Sequence, residues 1–333
     1  MRTTRRISLL ALGGTISTQV TEGGSLPQLG AEQIAGSLGQ IGDVEVRPRD
    51  VDRISGRAIT PLHMWRLAQA VAEEIADGAD GIVVTHGTDT LEETVYSLEL
   101  LVAPSVPVVV TGAMRLPEAP GADGPANVAA AVAVAADARL AAYGPVVVFQ
   151  DEVHLARWVT KVHSSRVAAF ASPAAGPVAI VAEDEVVLLQ GPPVTTHVLP
   201  RTAEPSGRVE LIWAAAGVDG FLVEAVADRV DGLVVAGTGG GHLAPPLAEA
   251  LVRMVQTGTP VVLASRCVSP LVLRRTYGGV GSEVHLLGEG GLLWGGSLFP
   301  LKARLRLIFG LSAGLQGADL FPADQEAAPG EGA

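Results

Sequence analysis

Short runs of apolar, β-branched residues recur along the chain, separated by stretches with helical patterning, and this rhythm constrains the fold more than any other feature. The clearest runs are Ile7–Leu12, Gly81–Thr85, Val106–Thr111, Pro145–Gln150, Val209–Ala214, Gly232–Ala236 and Thr259–Ala264. They are continuously apolar rather than alternating. Such strands are buried on both faces, which predicts a mostly parallel sheet covered by helices. Helices are expected over Leu62–Ile75, Leu91–Val102, Asn127–Ala142 and Pro246–Thr257. The β-α-β rhythm defines an α/β fold. Aromatic residues make up only 4% of the chain, so Ala, Val and Leu must fill the core.

The 333 residues are enough for two domains. The segment Gln190–Gly207 breaks the rhythm with four prolines and no helical period. It reads as a linker over 190–207, between a large N-terminal α/β domain (1–189) and a smaller C-terminal α/β domain (208–321). A local echo suggests that the halves are similar: DGIVV at Asp80–Val84 and DGLVV at Asp231–Val235. The stretch Pro322–Ala333 reads as a disordered tail.

Composition narrows the partners. A net charge of -12 provides no general positive field for phosphate backbones, so nucleic acid is not expected as a partner. The longest candidate span, Val128–Ala136, stops at Asp137, far short of the roughly 20 apolar residues a membrane helix needs. Ile7–Leu12 is too short for a secretory leader. Cys267 is the single cysteine, which suits a reducing, cytoplasmic compartment and is expected to be a small buried hydrophobe. His63, His154, His163, His197 and His285 have no metal-ligand spacing, so no metal is expected.

Three segments carry chemistry. ALGGTIS (Ala11–Ser17) ends a strand in two glycines and a threonine, leaving room for a ligand against the main chain. THGTDTLEET (Thr85–Thr94) runs from a buried strand through a turn into a helix, and Thr90 with Glu93 has capping-box spacing. Thr88 and Asp89 then sit at the carboxyl edge of a parallel sheet, where open α/β folds bind ligands. The third segment, Arg157–Ser165, sets Lys161 among apolar and hydroxyl residues. A threonine hydroxyl needs a nearby base, and a buried lysine oriented by a carboxylate would supply one. Main-chain N–H groups near Ala113 would serve as oxyanion donors.

These motifs resemble those of the bacterial L-asparaginase family, in the branch that includes asparaginase/glutaminases, over about residues 5–320. The resemblance is carried by ALGGTIS, HGTDTLEET, GAMR at Gly112–Arg115 with ADGPANV at Ala122–Val128, VTKVHSS at Val159–Ser165, and PLKARLRL at Pro300–Leu307. It implies Thr15 as primary nucleophile and Thr88, Lys161 and Asp89 as a second set, with Asp89 also binding the substrate's α-amino group. Ser55, Gly56, Arg57, Gly87, Ala113 and His242 fall at substrate-binding positions. Glu283 matches the acidic residue that each site borrows from a neighbouring subunit. The resemblance further implies a small amino-acid amide substrate, an intimate dimer assembled into a tetramer, and neither metal nor organic cofactor.

The substrate-fitting shell departs from the family pattern. No tyrosine falls near Gln19–Gly30, Gly56 and Arg57 stand where small polar residues are usual, and His242 replaces an asparagine. Two other readings are weighed against hydrolysis. Gly237–His242 partly resembles a dinucleotide-binding glycine motif but lacks its last glycine. A non-catalytic amino-acid-binding protein of the same fold is the other, and an amidase acting on transfer RNA is disfavoured by the acidic charge.

Overall fold

The structure is a computed structural model that describes residues 4–21, 24–27, 30–36, 38, 43–193 and 198–322. The expectations for His197 and for the tail beyond Pro322 fall outside these residues, as does part of Gln19–Gly30. The chain divides into two compact units, Met1–Val198 and Leu199–Ala333.

The N-terminal unit runs β1 (Arg5–Gly13), β2 (Thr18–Thr21), β3 (Gly24–Pro27), α1 (Ala31–Gly36), β4 (Val44–Ile54), α2 (Pro61–Ala76), β5 (Gly81–Thr85), α3 (Leu91–Leu101), β6 (Val108–Thr111), α4 (Gly124–Ala136) and β7 (Pro145–Phe149). Then come β8 (Glu152–Leu155), β9 (Thr160–Lys161), β10 (Phe170–Ala171), β11 (Ala179–Ala182) and β12 (Glu185–Leu188). Eight strands form one sheet in the order β12-β11-β8-β7-β6-β5-β1-β4. The strands from β4 to β7 are parallel, while β7-β8, β8-β11 and β11-β12 are antiparallel. The sheet is therefore mixed, and its parallel strands β1, β5, β6 and β7 fall where the apolar runs predict them, while β4 falls outside those runs.

Both faces of β1, β5, β6 and β7 are buried. Ile7, Leu9, Val83 and Val109 join the cluster under α4, while their neighbours Leu10, Ile82, Val84 and Val110 are equally inaccessible. Each such side chain contributes about 1.5–3 kcal/mol by leaving water.

Helix α4 ends at Ala136, not at Ala142 as its apolar pattern predicts. The Asp137 carboxylate accepts the Arg139 N–H and starts a separate 3-10 segment, Ala138–Tyr143. Thr90 is the N-cap of α3, but its hydroxyl donates to the Gly56 carbonyl at 2.8 Å instead of closing the expected capping box with Glu93.

The C-terminal unit runs β13 (Val209–Trp213), α5 (Phe221–Val226), β14 (Gly232–Gly237), α6 (Pro245–Gln256), β15 (Val261–Ser265), α7 (Glu283–Leu287), β16 (Leu293–Trp294) and α8 (Pro300–Ser312). Its four strands are parallel in sequential order. Cys267 lies two residues beyond β15 and is exposed, not buried as its apolar surroundings suggest.

The sequence echo has a structural counterpart. Asp80 accepts the Arg6 N–H at 2.8 Å, and Asp231 accepts the Arg208 N–H at 2.7 Å. In return each aspartate's own N–H donates to the carbonyl of that arginine. The following glycines admit a helix: a Cβ at Gly81 would lie 2.0 Å from the Ala135 carbonyl of α4, and one at Gly232 would lie 2.9 Å from Leu307 of α8. Each unit thus begins its parallel pairing with the same Asp-Gly device.

Candidate active site

The carboxyl edge of the N-terminal sheet brings four strand exits together, and glycines make the approach possible. Gly14, after β1, has φ 90° and ψ -174°, a conformation essentially reserved for glycine. A Cβ there would lie 2.4 Å from Gly87 Cα, and one at Gly87 would lie 2.7 Å from Gly56 Cα. A Cβ at Gly112, after β6, would meet the His86 carbonyl oxygen at 2.5 Å. The main chains leaving β1, β4, β5 and β6 therefore touch. Thr15 and Thr88, each one residue beyond such a contact, start from adjoining backbones on neighbouring strands.

Around Thr88 the geometry is fully drawn. Its side chain is buried, and Lys161 Nζ on β9 donates to Thr88 Oγ1 at 2.9 Å and to Asp89 Oδ1 at 2.9 Å. The lysine side chain is only 16% exposed, whereas that of Asp89 is 62% exposed. An ion pair with one partner this open adds about 0–1 kcal/mol to stability, too little to account for the arrangement as a fold determinant. Chemically it is a hydroxyl held against an amine, with a carboxylate beside the amine. The start of α3 follows directly, so its positive end favours a carboxylate in the same turn.

His86 fixes this turn from beneath. It is fully buried, its Nδ1 lies 2.7 Å from the Gly87 carbonyl, and its Nε2 lies 2.9 Å from Thr94 Oγ1. Burial pulls its pKa down to about 4 against the opposing effect of the Gly87 carbonyl, so the imidazole is neutral near pH 7. The neutral ring donates from Nδ1 to the carbonyl and accepts the threonine hydroxyl at Nε2, which orients the peptide leading into Thr88.

On the next loop, Asp123 accepts the Met114 and Arg115 N–H groups at 3.0 and 2.9 Å, and Asn127 Nδ2 donates to the Gly112 carbonyl at 2.9 Å. These two buried residues hold Ala113 at the sheet edge. Asp123 and Asn127 lie in the ADGPANV segment, but nothing in sequence spacing marks them as clamps.

The remaining expected residues are placed as follows. Gly56 is buried at the three-glycine contact, Ser55 beside it is half-buried, and Arg57 is exposed. His242 and Glu283 belong to the C-terminal unit, where His242 Nε2 lies 3.1 Å from Glu283 Oε2. Glu283 Oε1 accepts the Thr276 and Tyr277 N–H groups, both at 2.7 Å, and the carboxylate is completely buried. Burial pushes the Glu283 carboxyl up, but these N–H groups outweigh it and hold it below its ordinary value. The Tyr277 ring stands edge-on to His242. Among the described residues no group of His, Cys, Asp and Glu is arranged to hold a metal, and no helix is long and apolar enough to cross a membrane. A cavity of about 760 Å3 at the amino edge of the C-terminal sheet contains none of the candidate residues.

Two family models cover almost all of the chain: the N-terminal asparaginase domain matches residues 6–194, and the glutaminase/asparaginase C-terminal domain matches residues 208–320. The chain belongs to the asparaginase family. It is thereby an amidohydrolase of the L-asparaginase type. Within the family it is 37% identical over 320 residues to a probable L-asparaginase of Deinococcus radiodurans, spanning 95% of both chains. It is 31% identical to a glutamyl-tRNA(Gln) amidotransferase component of Haloquadratum walsbyi, over 92% of this chain and 71% of that one. Among solved structures, a probable cytoplasmic L-asparaginase of Campylobacter jejuni superposes with a TM-score of 0.82 at 28% identity, covering 92% of this chain and 95% of the other. The large mixed-sheet unit followed by a smaller parallel-sheet unit is the architecture of this family.

Proposed function

We propose that the protein hydrolyses L-asparagine to L-aspartate and ammonia through an acyl-enzyme formed on threonine. The observation that carries this reading is Lys161 Nζ standing 2.9 Å from both Thr88 Oγ1 and Asp89 Oδ1 at the edge where the Thr15 loop touches the Thr88 loop. In the proposed course, Thr15 Oγ adds to the side-chain amide carbon and gives up its proton. Main-chain N–H groups at the Ala113 loop receive the oxyanion. Collapse expels ammonia, the leaving nitrogen carrying away the proton that Thr15 gave up, and leaves an aspartyl ester on Thr15. Thr88, with Lys161 as its base and Asp89 orienting the ammonium that results, activates the water that cleaves the ester. Asp89 also receives the substrate's α-amino group, and Ser55, Gly56, Arg57 and Gly87 line the carboxylate end.

The same reading extends to the assembly: an intimate dimer, paired into a tetramer, in which Glu283 and His242 serve a neighbouring copy's site in the cytoplasm. The finer domain division, with a linker over 190–207 and a tail from Pro322, belongs to this proposal too.

A second reading is altered specificity or amino-acid binding without turnover. It is favoured by the exposed Arg57 at a position for a small residue and by His242 being tied to Glu283. Initial rates of ammonia release from asparagine and glutamine, measured side by side, separate the two. A faster rate with asparagine supports the hydrolase, and no release from either amide supports the second reading.

A further inference from the structure

Lys161 sits on β9, a strand of two residues that, among the described residues, is laddered to the equally short β10 alone. So short a ladder is a weak support for a side chain that must hold two hydrogen bonds. A second support comes from Glu92, in the first turn of α3. Glu92 Oε1 accepts the Lys161 main-chain N–H at 3.2 Å, while the carboxylate is nine-tenths buried. Its other oxygen, Oε2, is buried with no hydrogen-bond partner among the described residues. A buried carboxylate oxygen left without a donor costs stability. Leucine at this position of a packed helix would remove that cost, so the retained carboxylate calls for another role.

The location indicates one. Glu92 follows Thr88 by four residues and Asp89 by three, at the head of the same helix. We infer that Glu92 is a positioning residue: it joins the helix that follows the Thr88-Asp89 turn to the strand that carries Lys161, and so sets Nζ against both. The bond spans 69 positions of sequence and makes one rigid bracket from two separate segments. No proton moves through Glu92. It acts only through the place of the Lys161 main chain, and its importance for turnover rests on the proposed hydrolase reading.

The test compares Glu92→Gln, which keeps an acceptor oxygen, with Glu92→Leu, which does not. A displacement of about 1 Å at a reacting group lowers turnover by about 100-fold. The Leu variant is therefore expected to lose about that factor in kcat with little change in KM, and the Gln variant to stay within about threefold of the parent. A Leu variant with parental kcat, or a Gln variant as impaired as Leu, overturns the inference. A crystal structure of the Leu variant decides independently of activity: the Lys161 Nζ to Thr88 Oγ1 distance should open from 2.9 Å beyond hydrogen-bond reach, and an unchanged distance overturns the inference. If the parent protein hydrolyses no amide, the proposed function fails while this distance still judges Glu92. If the Leu variant does not fold, hydrogen exchange in the parent protein decides, with a slowly exchanging Lys161 amide expected and a freely exchanging one contradicting the bond.

Discussion

Replacing Gly14 by alanine tests the idea that backbone contact between two loops builds the site. Gly14 combines φ 90° with ψ -174°, and a side chain in that region costs about 1–3 kcal/mol. Its new Cβ would lie 2.4 Å from both Gly87 Cα and Gly87 N. Ordinary contact begins at 3.4 Å, so the two loops must part by about 1 Å, and Gly87 has no side chain that could yield instead. Thr15 and Thr88 move apart with them. Such a displacement predicts a loss in kcat of about 100-fold, beyond a stability loss of a few kcal/mol. The assay is ammonia release well below the melting temperature, with melting followed in parallel. Gly36→Ala is the control, because a Cβ there would meet nothing within 4 Å; it should leave kcat unchanged and stability within about 0.5 kcal/mol. A Gly14→Ala protein with kcat within threefold of the parent would refute the reasoning.

Three further outcomes are expected. Thr15→Ala and Lys161→Met should each retain the parental fold by circular dichroism and lose nearly all amide hydrolysis, and substantial turnover in either removes that residue from the mechanism. Arg57→Ser should change the Michaelis constant for asparagine if Arg57 meets the substrate carboxylate; an unchanged constant leaves Arg57 to solvent. His86 stays neutral in the fold down to about pH 4 but takes a proton near 6.5 when unfolded, so the unfolded state binds more protons between these values and stability is lost as pH falls. By that linkage urea denaturation at pH 5 should give about 2 kcal/mol less stability than at pH 7 from His86 alone, with buried His154 acting in the same direction; His86→Gln should flatten the slope.

Strands β1, β5, β6 and β7 were legible because they are buried on both faces and are rich in consecutive Val, Ile and Leu. The rest was hidden for identifiable reasons. Strand β4 is the edge of its sheet, carries Arg, Asp and Glu along much of its length and contains Pro48, so it reads as a loop. The β7-β8 and β11-β12 hairpins turn at Gln150-Asp151 and Glu183-Asp184, all four with positive φ and none of them glycine. Sequence reading looks for Asn-Gly or Asp-Gly at such turns and finds neither. The site was partly legible for a related reason. Gly13-Gly14 and His86–Thr90 are local clusters, visible without knowledge of the fold. Glu92 and Asp123 act through partners that only folding brings close, and Lys161 shows its role only once Thr88 is found beside it.

The central claim is that Thr15 carries the acyl group while Thr88, Lys161 and Asp89 serve its release. Rapid quenching of protein mixed with excess asparagine, followed by mass mapping of its peptides, tests that claim most directly. An aspartyl ester should appear on the peptide containing Thr15 and accumulate further in Lys161→Met if that variant still acylates. An ester on Thr88, or steady ammonia release with no ester on any residue, would contradict it.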